Sequence, residues 1–110
     1  MIVVLARISL KPDERERFLE LAEEVSGPSR AEAGCLDYRG YLDAEQPGEF
    51  IFVERWESVD ALQEHFRTEH FGRFAAALPD VIAGEPQVQI YEVASTVAME
   101  DVQAAAAADA

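Results

Sequence analysis

Both histidines of this 110-residue chain, its one tryptophan and a glutamate set among aromatics fall within a single stretch, Phe50–Phe71 (FIFVERWESVDALQEHFRTEHF). A histidine lining an apolar pocket titrates near neutrality and can take a proton from a phenol or an enol. His65 follows Leu62 by three positions, shares the inward face of its helix, and is the candidate base. His70 reads as a residue packed near a helix end or lying on the surface. Trp56 is in register with Phe50, Phe52 and Glu54 along a strand, either as a core aromatic or as the wall of an aromatic-binding pocket. A carboxylate between Phe52 and Trp56 must be paired or protonated, and Arg7, Arg39 and Arg55 are its candidate partners. Tyr38 either faces the same cavity or fills it.

Metal chemistry is not what the spacing suggests. His65 and His70 are five apart, about 140° round an ideal helix, whereas two imidazoles on one helical face need i,i+4 spacing. There is no HExxH pattern, and one cysteine, Cys35, supplies no zinc-ligand spacing and has no basic cluster near it in sequence to make a reactive thiolate. Phosphate loops, dinucleotide fingerprints, GxSxG elbows and EF-hand loops are absent. The expectation is no metal and no cofactor.

The elements that must position these side chains read in order as β-α-β-β-α-β. Residues 2–10, IVVLARISL, are apolar on both alternating faces, as in a strand covered on both sides. Lys11-Pro12-Asp13 opens a helix whose apolar stripe is Phe18, Leu21, Ala22 and Val25. Gly27-Pro28 should end or kink it, with SRAEA still compatible with helix and Gly34 as its C′ cap. CLDYRGYLD places Leu36, Tyr38 and Leu42 on one strand face; a turn at Glu45-Gln46-Pro47-Gly48 leads to a hairpin partner, Glu49 to Trp56. Ser58 caps a helix from Val59 to about Phe66, and Thr68 caps a further segment from Glu69 to about Leu78. QVQIYEVAS is the last strand. The predicted fold is α+β: a ferredoxin-like protomer with a four-stranded antiparallel sheet, helices on one face. Apolar residues on the other face predict a second copy against it, a homodimer through sheet faces, the dimeric α+β barrel. Residues 1–96 form the domain; residues 97–110 are an Ala-rich acidic tail, flexible or weakly helical.

Composition excludes several partners. With 22 acidic against 9 basic residues and a net charge of −13, binding to nucleic acid or to an anionic membrane surface is disfavoured. No apolar run reaches the ~20 residues of a membrane span, and the N-terminal segment lacks signal-peptide features. One cysteine fits a reducing cytoplasm.

Together the junction SRAEAGCLDY, the strand IFVERWES and the helix DALQEHFRTEH, across residues 2–94, resemble the antibiotic-biosynthesis-monooxygenase family of small dimeric α+β barrel proteins. The resemblance implies oxidation of a small phenolic, quinol or polyketide-like aromatic molecule by O2 without metal or flavin. It implies His65 as base or orienting donor, Trp56 as pocket wall and hydrogen-bond donor, and His70 or Arg39 as electrostatic support. Tyr38, Arg39, Phe52, Glu54 and Phe66 are then the expected substrate-binding side chains. The haem-degrading branch of similar fold uses an asparagine, and this chain contains none, with Ala6 or Arg7 at the first-strand position. Two other functions fit the same fold: isomerisation of a small hydroxycarbonyl compound, and a non-catalytic dimeric ligand-binding or stress-response module.

Overall fold

The computed structural model describes residues 1–109. Strand β1 (Ile2–Ser9) leads through a 3-10 turn at Pro12–Glu14 into helix α1 (Arg15–Arg30). Strands β2 (Cys35–Leu42) and β3 (Glu49–Trp56) form a hairpin, followed by helices α2 (Val59–Phe66) and α3 (Glu69–Ala77), strand β4 (Gln87–Glu92) and helix α4 (Met99–Asp109). The sheet order is β2-β3-β1-β4 with every neighbour antiparallel, which is the expected ferredoxin-like topology.

Alternation sorts β1 and β3 into two faces. Ile2, Val4 and Ile8 of β1 and Phe50, Phe52, Glu54 and Trp56 of β3 point toward the helices and are buried. They close over Phe18, Ala22 and Val25 of α1, Leu62 of α2 and Phe74 of α3. The opposite face carries Val3, Leu5, Ile51 and Val53, which are only half-buried. Val88 and Ile90 of β4 pair with Ala6 and Val4, so they lie on the helix side of the sheet, yet both remain about half exposed, at 51% and 52%.

Helix α1 continues through Gly27-Pro28 to Arg30 with Pro28 inside, as the helix-compatible run after the proline allows. Two local expectations meet a different outcome. Ala31 rather than Gly34 caps α1, its N–H donating to the Pro28 carbonyl while that of Glu32 donates to Ser29. Gly34 serves close approach instead: a Cβ there would stand 2.3 Å from Cβ of Ala61, so the residue lets α2 lie against the start of β2. Leu36 is exposed because a β-bulge between Cys35 and Asp37 shifts it out of the face that holds Tyr38 and Leu42. The tail is helical, and its Val97, Met99 and Val102 stay exposed. Ala110 lies outside the described residues.

Candidate active site

Where β2 and β3 run beneath α2, three rings pack together. Tyr38 pairs across the ladder with Glu54, two residues before Trp56. The indole of Trp56 and the imidazole of His65 lie 4.6 Å apart between centroids, with Tyr38 5.5 Å from His65 and Phe71 5.0 Å from it on another side. Trp56 is fully buried and His65 is 1% exposed, so no aromatic-sized volume separates them.

His65 reaches this position because Ser58 caps α2 by accepting from the N–H of Ala61. The amphipathic face of α2 then turns Leu62 and His65 inward together. The helix stops one residue after His65. Thr68 ties the two segments: its hydroxyl donates to the His65 carbonyl at 2.7 Å and accepts from the N–H of Phe71 at 3.3 Å. That break overturns the helical-wheel argument for His70. An ideal helix would hold the two imidazoles about 140° apart, but α3 starts in a new direction and both rings converge on one carboxylate. Oε2 of Glu32 is 2.6 Å from Nδ1 of His65 and 2.8 Å from Nε2 of His70.

Glu32 is the member of the candidate site that the sequence does not single out. SRAEA is compatible with helix, which would carry Glu32 round the turn. Instead it sits in a tight turn, its N–H donating to the Ser29 carbonyl and its own carbonyl accepting from Cys35. The available signal was its place in the junction that feeds β2 alongside Trp56.

With Nδ1–H of His65 donating to Glu32, the ring's lone pair is fixed on Nε2, the arrangement in which a carboxylate sets the tautomer of a general base. Burial holds His65 below the ordinary imidazole range; the hydrogen bond and charge of Glu32 act the other way, and His70 lowers it further. The ring is therefore neutral at pH 7.

Glu54 finds no arginine. Arg7, Arg39 and Arg55 sit on the opposite side of the sheet, where Arg39 is exposed beside Asp37. Among the described residues its one side-chain partner is Trp56, whose Nε1–H donates to Oε1 of Glu54 at 3.0 Å. Burial pushes the carboxyl up to about 7; the indole bond opposes this and the charge of Glu32 adds to it. Of the two options open to a carboxyl in that place, protonation replaces ion pairing. Burial and the nearby charge of Glu54 also raise the Tyr38 phenol well above its ordinary value, with Ser29 acting against them. Burial, then Glu32, push the Cys35 thiol up to about 11, which leaves it a poor nucleophile.

The structure thus brings His65, Trp56, Tyr38, Phe52 and Glu54 together and joins His70 to them through Glu32. Phe66 stands at the rim, 45% exposed, with its ring 5.7 Å from His65. Arg39 does not belong to the group; one position along β2 from Tyr38, its side chain takes the other face.

The fold and this cluster define a ferredoxin-like α+β protein with a carboxylate-oriented histidine under the sheet. Residues 1–77 match the family described as antibiotic biosynthesis monooxygenase, and the chain belongs to that family. It is 39% identical to the uncharacterized protein sll1783 of Synechocystis sp., over 86% of this chain and 65% of that one; it therefore spans less than two thirds of that relative. It is 25% identical, over 71% of its length and 85% of the relative's, to YgiN of Escherichia coli, whose name assigns a quinol monooxygenase activity by inference. Among solved structures, Rv0793 of Mycobacterium tuberculosis superposes with a TM-score of 0.83 at 29% identity, covering 88% of this chain and 98% of that one.

Proposed function

We propose that the protein is a cofactor-independent monooxygenase that oxidises a small phenolic or quinol compound with O2. The observation that carries this reading is the Glu32–His65 hydrogen bond, which leaves Nε2 of a neutral, buried imidazole as the basic atom beside Trp56 and Tyr38. Family membership and the quinol-monooxygenase name of YgiN support the substrate class.

In this reaction His65 takes the phenolic proton. The phenolate gives an electron to O2, the two radicals join as a peroxide on a ring carbon, and the peroxide collapses as that carbon loses its hydrogen: one oxygen stays on the ring as a carbonyl and the other leaves as water. A phenol and O2 become a quinone and water, with no electron supplied from outside. An imidazole bonded to a carboxylate suits the first step, and a dry aromatic surrounding suits the charged intermediates. Because the indole and imidazole are in contact, the substrate enters by parting this cluster from the rim at Phe66, not by filling a preformed space. The active unit is a homodimer, in which the half-buried Val3, Leu5, Ile51 and Val53 of two sheets face each other. The expected setting is the cytoplasm, and among the described residues no helix is long and apolar enough to cross a membrane.

Oxygen consumption over a panel of quinols and naphthols, run in chelator without added flavin, tests the reading. A turnover that His65→Ala lowers by about a hundredfold or more is expected for a general base. If no member of the panel consumes oxygen while His65→Ala abolishes isomerisation of a small hydroxyketone, the isomerase reading replaces this one.

A further inference from the structure

Glu32, His65 and His70 come from a turn and two helices, yet one donor atom of each lies within 4.8 Å of the others. We propose that these three side chains bind a divalent transition-metal ion of the zinc class. Around an ion about 2.1 Å from each donor, neighbouring donors stand roughly 3.0–3.4 Å apart. The carboxylate already holds the two ring nitrogens at 2.6 and 2.8 Å, and the three donor atoms lie within 4.8 Å of one another, so an ion would push the oxygen out slightly and draw the two rings round it. Two imidazoles and one carboxylate suit zinc, cobalt, nickel or iron, and not magnesium or calcium. Three protein ligands also leave a position for water.

The approach to this cluster carries its own signal. A depression of about 510 Å³ beside it is lined by four carboxylates, Glu32, Glu57, Asp60 and Glu64, and by no lysine or arginine. Such a mouth concentrates cations. Among the described residues, the side-chain partners of Glu32 are the two histidines alone, so no lysine or arginine holds the place. The side chains of Glu32 and His70 are 14% and 16% exposed, which gives the ion a way in, while His65 is the inner ligand.

Without an ion, each ring donates an N–H to Glu32. An ion on Nδ1 of His65 requires that ring's proton on Nε2, and an ion on Nε2 of His70 requires its proton on Nδ1. The occupied form then has no lone pair left on His65. If His65 is the base of the reaction proposed above, that form is inactive; this consequence rests on that reading, whereas binding does not.

Zinc titration of the chelator-treated full-length protein, followed by calorimetry, tests the site, with cobalt(II) absorption reporting the ligand set. One ion per chain is expected, with cobalt bands of nitrogen–oxygen coordination. His70→Ala and Glu32→Gln should each weaken binding by about tenfold or more, with circular dichroism confirming that both are folded. Should Glu32→Gln unfold, His70→Ala decides, since its ring is partly exposed. Glu64→Gln should leave the cobalt bands unchanged. Absence of saturable binding, or equal affinity in the wild type and His70→Ala, overturns the proposal. A protein that binds zinc but oxidises no quinol keeps the site and removes the oxygenase reading, so the two failures are distinct.

Discussion

Glu54 holds its proton into a pH range where most carboxyls have lost theirs, and this makes the stability of the fold fall as pH rises. The folded state keeps the proton up to about 7, against an ordinary value near 4.5. Between those values the native chain binds more protons than the unfolded one, so stability is fully present below pH 4.5 and declines toward pH 7. A difference of that size corresponds to about 3 kcal/mol. Glu54→Gln keeps the oxygen that accepts from Trp56 and removes the titration. It should therefore be more stable than the wild type in urea at pH 8 and indistinguishable from it near pH 4.5. Equal stabilities at pH 8 would show that the carboxyl is not buried as described. The sequence confined Glu54 to two states, paired or protonated, because its neighbours were aromatic. Which state prevails depended on the side of the sheet taken by three arginines, and parity along the strands already contained that answer: Arg7, Arg39 and Arg55 are odd-numbered neighbours of an even-numbered buried face.

At the level of elements, most of the architecture was legible because its signals are local. Ser58 and Thr68 cap α2 and α3 as their chemistry suggests, and Pro47-Gly48 marks the hairpin. What escaped was produced by contacts between elements. Gly34 is a glycine because α2 presses on it, and no property of residues 31–37 alone says so. Gly34→Ala puts two Cβ atoms 2.3 Å apart and should cost about 1–3 kcal/mol in denaturant unfolding. Adding Ala61→Gly should recover most of that loss; failure to recover any would place the strain elsewhere. Glu32, His65 and His70 escaped for a related reason. Their meeting depends on the change of direction at Arg67-Thr68, and spacing rules for one continuous helix do not apply across it.

For the whole molecule, the sheet face away from the helices is the one through which the proposed dimer forms. Its centre is apolar, Val3 and Leu5 beside Ile51 and Val53, and its rim holds Arg7, Arg39, Arg55 and Tyr41, the arrangement expected of a protein interface. Val53→Glu would set a charge at that centre and should convert a wild-type dimer to monomer or aggregate in sedimentation. A folded, unchanged dimer would rule this face out as the contact. The radius of gyration, 16.4 Å, exceeds the roughly 13 Å of a compact chain of about 100 residues, in keeping with a tail helix whose apolar side chains are uncovered. The order β2-β3-β1-β4 also bears on how the chain is made. The first strand to be synthesised is an inner one, and its two partners come late: Ile2 pairs with Trp56 on one side and with Glu92 on the other. Until both arrive, the segment IVVLA waits with its backbone unpaired, so a growing chain has no closed sheet before its last strand has left the ribosome. Pairings that span so much of the sequence slow the search for the native fold. In the cell, that delay makes the unpaired β1 a client for whatever shields apolar chains during synthesis.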